Sequence, residues 1–152
     1  MISSIRHTGL VVSNLENSII FWRDHLGFKI EKCMDESGSC IDAMLGLHNV
    51  EVTTVKLRAP DGGVVELLNF KSHPDVREWT GAPYSTGFTH IALNVSNLDE
   101  LCENLRGAGV VFHAAPQLSN DGSVRAIYCK GPEGILRELV ELMRPKCELH
   151  KQ

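Results

Sequence analysis

The sequence predicts an α+β fold built from two tandem βαβββ modules, and two internal echoes carry that prediction. His7-Thr8-Gly9-Leu10-Val11-Val12-Ser13-Asn14-Leu15 returns as His90-Ile91-Ala92-Leu93-Asn94-Val95-Ser96-Asn97-Leu98, an offset of 83. Pro60-Asp61-Gly62-Gly63-Val64-Val65-Glu66-Leu67 returns as Pro132-Glu133-Gly134-Ile135-Leu136-Arg137-Glu138-Leu139, an offset of 72. Each half therefore opens on a His in a short apolar run and closes on a Glu in another. A fixed internal repeat means a repeated structural unit. The modules span 1–70 and 88–143, joined by an arm over 71–87 that carries Pro74, Gly81, Pro83 and Gly87 and lacks periodicity. A short charged tail starts at Pro145.

In the first module, the β-branched run from Ile5 to Val12 predicts a strand. Ser13-x-x-Glu16 has the spacing of a capping box, Leu15, Ile19, Trp22 and Leu26 share one helical face, and Gly27 supplies a stop. Strands follow at about 28–34, 51–58 and 64–70. The second module repeats the plan with Ser96-x-x-Asp99, the face Leu98, Leu101, Cys102 and Leu105, a Gly107-Ala108-Gly109 stop, and strands at about 110–114, 124–130 and 135–142. A small sheet with a helix on one face leaves its other face open. Two such units side by side would form a curved, partly open barrel-like sheet with a ligand-sized concavity inside it.

Composition narrows the classes of function. The 152 residues are 43% hydrophobic and 22% charged, which excludes disorder and suits one domain with a sizeable core. Fifteen Lys and Arg against 19 Asp and Glu leave a net charge of −4, the wrong sign for a nucleic-acid partner. The longest apolar run, Ile19-Ile20-Phe21-Trp22, is far too short to span a membrane, and the first residues lack a signal-peptide core. A cytoplasmic protein is the expectation. Cys33, Cys40, Cys102, Cys129 and Cys147 are an odd number without a C-x-x-C pair, so reduced thiols in or near the core are expected.

The duplication singles out four side chains. Equivalent positions on equivalent strands would bring His7, Glu66, His90 and Glu138 together near a pseudo-two-fold axis. Two imidazoles and two carboxylates are an N₂O₂ donor set for one divalent cation, whose charge offsets that of the two acids. The donor set accepts Zn, Ni, Co, Mn or Fe. Glu141 is the rival to Glu138, three residues along the same strand and so on its other face; the repeat selects Glu138. His25, His48, His73, His113 and His150 have no echo and are read as structural or surface residues.

These segments together, His7-Thr8-Gly9-Leu10, Glu66-Leu67, Gly87-Phe88-Thr89-His90-Ile91-Ala92-Leu93 and Gly131-Pro132-Glu133-Gly134-x-x-x-Glu138-Leu139, resemble the vicinal oxygen chelate superfamily over about residues 5–143. The resemblance implies a metal held by His7, Glu66, His90 and Glu138, a homodimer, and a small-molecule carbonyl substrate. A carboxylate at position 66 separates the chain from the dioxygenase and fosfomycin branches, which have no ligand there. It also differs from methylmalonyl-CoA epimerase, which has Gln. Glyoxalase I has the same His-Glu-His-Glu order. Its bacterial members carry an Arg that helps hold the glutathione carboxylate where this chain has Val11, and an Asn where it has Phe70.

What the resemblance implies first is therefore a metal-dependent epimerase or isomerase. It would abstract a proton next to a carbonyl of a small cyclitol- or acyl-type substrate, through an enediolate or enolate held on the metal. Glu66 and Glu138 would be the acid–base pair. Glyoxalase I-type lactoylglutathione lyase activity is the alternative, followed by a metal-linked binding or resistance protein or a dioxygenase. Substrate-specific residues are expected around Cys33–Val55 and Gln117–Arg125, and Trp79 or Tyr84 of the arm would pack on a ligand or on the protein's own surface.

Overall fold

A computed structural model describes residues 2–75, 77 and 79–143. The predicted tail, with Cys147 and His150, lies outside them. The chain divides into two compact units, Met1–Arg77 and Glu78–Gln152.

The first unit runs β1 (Thr8–Val11), α1 (Leu15–Ile20), a π-helical turn (Phe21–His25), β2 (Lys29–Ser37), α2 (Ser39–Leu45), β3 (Glu51–Arg58) and β4 (Val64–Phe70). Its four-stranded sheet has the order β1-β4-β3-β2, with β1 parallel to β4 and the other pairs antiparallel. The second unit runs β5 (His90–Asn94), α3 (Leu98–Gly107), β6 (Val111–Phe112), β7 (Gln117–Leu118), β8 (Val124–Lys130), a 3₁₀ turn (Pro132–Gly134) and β9 (Leu136–Leu142). Its sheet has the order β5-β9-β8-β6, with β7 also on β8 and β5 parallel to β9. The duplicated βαβββ plan is thus present as two hydrogen-bonded sheets, one per unit, rather than one continuous sheet.

Alternation sets the faces. In β4, Val65 and Leu67 are buried among Leu10, Val55 and Leu57, which are their register partners on β1 and β3. Val64, Glu66 and Leu68 point to the opposite, open face. In β9, Arg137 and Leu139 are buried with Cys129 and Ile127 of β8, leaving Leu136, Glu138 and Val140 on the other face. Arg137 is a buried cation that the apolar pattern does not anticipate. Burial lowers its pKa to about 10, and its Nη1 donates to the Ile135 carbonyl at 2.8 Å.

Several local expectations need correction. The first helix is capped by Asn14, whose side chain accepts from the Asn17 N–H at 2.9 Å, instead of through the Ser13–Glu16 box. It does not stay α-helical to Leu26: an i to i+5 bond from Leu26 N–H to the Phe21 carbonyl widens the last turn, and Phe21 and Trp22 are both buried there. Gly27 then takes φ +75°, the left-handed stop the sequence calls for. In the second unit Asn97, not Ser96, is the cap residue, with φ +56° and no side-chain capping bond. The Leu98 N–H is met instead by the Glu141 carboxylate at 3.3 Å. A tertiary contact replaces the local one. Helix α2 and strand β7 were not expected at all.

The cysteine reading also divides. Cys102 and Cys129 are buried, but Cys33, on the edge strand β2, and Cys40, in the first turn of α2, are exposed and not core residues. Burial pushes the Cys129 thiol up to about 11. In a Cys147→Ser protein at pH 8, a thiol reagent is therefore expected to label Cys33 and Cys40 quickly and Cys102 and Cys129 only after denaturation. Equal rates for all four would contradict the burial pattern.

Candidate active site

Each unit holds one His–Glu pair at the junction of its parallel strands. In the first, β1 lies beside β4 with Gly9 opposite Glu66, so His7 sits two residues before the position facing the carboxylate. In the second, Ala92 lies opposite Glu138, and His90 is again two residues before it. This identical register on both sides places each His on the same face as its Glu. His7 Nε2 is 3.0 Å from Glu66 Oε2, and His90 Nε2 is 3.4 Å from Glu138 Oε2. All four side chains are partly buried. Among the described residues, three or more His, Cys, Asp and Glu are nowhere grouped so as to hold a metal ion.

The surroundings of the pairs differ. His7 Nδ1 is buried without a hydrogen-bond partner, which leaves Nε2 as the ring's polar engagement. His90 is held from both ends: Nδ1 lies 2.9 Å from the Thr89 hydroxyl, and Nε2 lies 3.4 Å from the Tyr128 hydroxyl, with the Tyr128 ring edge-on at 5.1 Å. If Nδ1 carries the proton and donates it to Thr89, Nε2 keeps its lone pair for a cation. If His90 is a metal ligand, as the sequence leads one to expect, Thr89→Val should weaken divalent-metal binding about 10-fold or more, read by competition with a chelator, because the ring's orientation is lost while the ring remains. An unchanged affinity would remove Thr89 from the site.

Glu141 is occupied elsewhere. Besides capping α3, it lies 3.5 Å from Arg125 Nη1. Arg125 also pairs with Asp99, whose carboxyl that guanidinium holds below its usual range.

The sequence reading passed over two residues on the strand neighbouring each Glu. Lys56 lies directly across from Glu66, and Tyr128 directly across from Glu138. Lys56 Nζ is 3.4 Å from Glu66 Oε1, so this carboxylate is shared between His7 and Lys56. Partial burial of the ring, and secondarily the Glu138 charge, raise the Tyr128 pKa, so the phenol stays a proton donor at neutral pH. Lys56 and Tyr128 are themselves 72 positions apart, the offset of the two glutamates. That offset was the available signal, hidden because Lys and Tyr are not an obvious match.

In the arm, the Trp79 indole fills the space a Cβ on Gly81 would need, 2.0 Å from its nearest ring atom, and the Trp79 backbone N–H donates to the Glu133 carbonyl at 3.1 Å. Trp79 packs on its own unit, while Tyr84 is 91% exposed.

A repeated βαβββ unit with a His–Glu pair in each copy defines a class of small α+β proteins. The chain belongs to the glyoxalase/bleomycin resistance protein/dioxygenase superfamily, whose family model matches residues 4–139. It is 28% identical to glyoxalase I of Saccharomyces cerevisiae over 97% of its own length but only 47% of that protein, so it spans about half of this relative. It is 26% identical to a probable lactoylglutathione lyase of Vibrio cholerae, covering 90% of this chain and 89% of that one. Among solved structures, a glyoxalase family protein of Bacillus cereus superposes with a TM-score of 0.86 at 25% identity, over 95% of this chain and 97% of that one. The fosfomycin resistance protein FosX of Listeria monocytogenes, solved with Mn(II) and sulfate, shares the fold with a TM-score of 0.63 at 16% identity, over 94% of this chain and 95% of that one. No helix among the described residues is long and apolar enough to cross a membrane.

Proposed function

We propose that the chain is a divalent-metal-dependent enzyme of the glyoxalase I type, a lyase that moves a proton between adjacent carbons of an α-hydroxycarbonyl unit carried as a hemithioacetal. The observation that carries this reading is the duplicated His–Glu pair in identical strand register, His7 with Glu66 and His90 with Glu138. Relatives named glyoxalase I and lactoylglutathione lyase support this lyase more than they support the epimerase.

The donor chemistry fits a divalent ion. Two imidazole nitrogens and two carboxylate oxygens, each pair already aimed at one another within 3.4 Å, would hold Zn, Ni, Co, Mn or Fe with no net charge. We assign His7, Glu66, His90 and Glu138 as its ligands, a first unit and a second unit each supplying two. When bound, the ion supplies Lewis-acid stabilisation of charge developing on a carbonyl oxygen. Glu66 and Glu138 are the bases at hand to take a proton from the carbon and return it to its neighbour. Tyr128 remains protonated beside Glu138 and donates a hydrogen bond. Thr89 fixes the His90 ring.

A second reading, an epimerase or isomerase of a small oxygenated carbonyl compound, is favoured by one observation. Val11 and Phe70, which stand where bacterial glyoxalase I carries Arg and Asn, lie on the same open face as Glu66. The test is to supply metal-loaded protein with methylglyoxal and glutathione, and in parallel with carbonyl compounds in heavy water. Lactoylglutathione formation establishes the lyase. Deuterium exchange next to a carbonyl without thioester formation establishes the epimerase, and neither outcome with metal bound rejects both.

A further inference from the structure

The open face of the first unit carries a row of charge that the metal-ligand assignment does not use. Across the sheet, Lys32 of β2 lies opposite Lys56 of β3, which lies opposite Glu66 of β4. Partners in a ladder share a face, so the two ammonium groups stand side by side, their Cβ atoms about 5 Å apart. Like charges directly opposite destabilise a sheet pair unless something between them repays the repulsion. Only half of that repayment is present. Lys56, with 23% of its side chain exposed, pairs with Glu66, whereas Lys32 is exposed and has no carboxylate within ion-pair distance among the described residues. Of the other cations on this face, Arg58 is already committed to Glu31 and to the Gly62 carbonyl, and Lys29 lies opposite Arg58, at the edge of the row.

We propose that Lys32 and Lys56 form the subsite for an anionic group of the substrate, a carboxylate or a phosphate. This rests on the metal-enzyme reading above. Once Glu66 serves a divalent ion, two glutamates and the dication sum to zero, and Lys56 is left as a half-buried positive charge without a counter-ion. A substrate anion beside Lys56 and Lys32 restores neutrality, with its carbonyl directed along the same row toward Glu66 and His7. The next row, Thr54, Leu68 and Val11, is mostly apolar and suits the carbon part of such a molecule. The second unit has Tyr128 at the place of Lys56, so the anion subsite belongs to one half of the duplication and gives the substrate a single orientation.

The subsite makes metal and anion binding cooperative, because each relieves the charge the other leaves. The probes are inorganic phosphate, pyruvate and the neutral ketone hydroxyacetone, titrated calorimetrically into metal-free and metal-loaded full-length protein whose metal content is measured first. Metal-loaded wild-type protein is expected to bind phosphate or pyruvate, whichever binds tighter naming the class, more tightly than the metal-free protein does. Lys56→Met and Lys32→Met are each expected to weaken that anion about 10-fold or more, with Lys56→Arg close to wild type and hydroxyacetone unaffected. Lys32 is exposed, so its variant tests the subsite without risk to folding. Equal anion affinity in wild type and both Met variants, or no anion bound by metal-loaded wild type, overturns the subsite. Wild-type protein that takes up no divalent metal overturns the enzyme reading and the subsite with it, and the metal assay separates that result from the others.

Discussion

Glu66→Gln and Glu138→Gln are each expected to lower turnover of the methylglyoxal–glutathione hemithioacetal by about 10²–10⁴-fold while leaving the far-ultraviolet circular dichroism of the protein unchanged. Glutamine keeps the size and one acceptor oxygen of glutamate but loses the charge and the basicity. Both carboxylates lie on open sheet faces, partly exposed, so neither is part of a core whose loss would unfold the protein. The two variants are not expected to behave identically. Glu66 has Lys56 at 3.4 Å as well as His7, whereas Glu138 has Tyr128 as its cross-strand neighbour and, among the described residues, no Lys or Arg within ion-pair distance. Neutralising residue 66 leaves Lys56 unpaired in the metal-free protein, a loss that neutralising residue 138 does not cause. Wild-type turnover in either variant would strip that carboxylate of its assigned role.

Trp22→Ala is expected to cost about 3–5 kcal/mol of stability, the largest effect of any single truncation proposed for the core. The indole is 1% exposed. It meets Phe28 edge-on at 4.9 Å and Phe21 at 6.1 Å, so the deletion removes aromatic contacts and leaves a void that the π turn is poorly placed to close. For a chain of this length the loss lowers the melting temperature by roughly 6–20 °C. Ile20→Ala on the exposed side of the same helix is the control, with 36% exposure and a small expected change. A Trp22→Ala protein as stable as the control would mean that the first unit is not held by this cluster.

The strand framework was legible because the hydrophobic period and the duplication agree. Strands at 51–58, 64–70 and 124–130 coincide with the observed ones, and the glycine stop at Gly27 is where the backbone turns left-handed. Where the reading failed, a non-local contact had replaced a local rule. The Glu141 carboxylate reaches Leu98 from a strand 43 residues away, and no capping motif encodes it. At the π turn the Leu26 N–H bonds to the Phe21 carbonyl, a widening that hydrophobic periodicity does not signal. Helix α2 contains no buried residue, so no apolar stripe announced it.

At the candidate site, the His–Glu pair of each unit was visible because both halves repeat the same residue types. Lys32 and Lys56 were not, since they flank the Cys33–Val55 segment in sequence and become neighbours only through the pairing of β2 with β3. A lysine on a strand reads as a solvated residue until its cross-strand partner is known.

The proposal that His7, Glu66, His90 and Glu138 are ligands of one metal ion is tested most directly by elemental analysis of the metal-reconstituted protein beside its His7→Ala and His90→Ala variants. About one divalent ion per chain is expected in the wild type and its loss in both variants, since neither pair alone supplies the four protein ligands proposed for it. Retention of metal by one variant, or two ions per chain in the wild type, would show that the pairs act separately and would contradict the account.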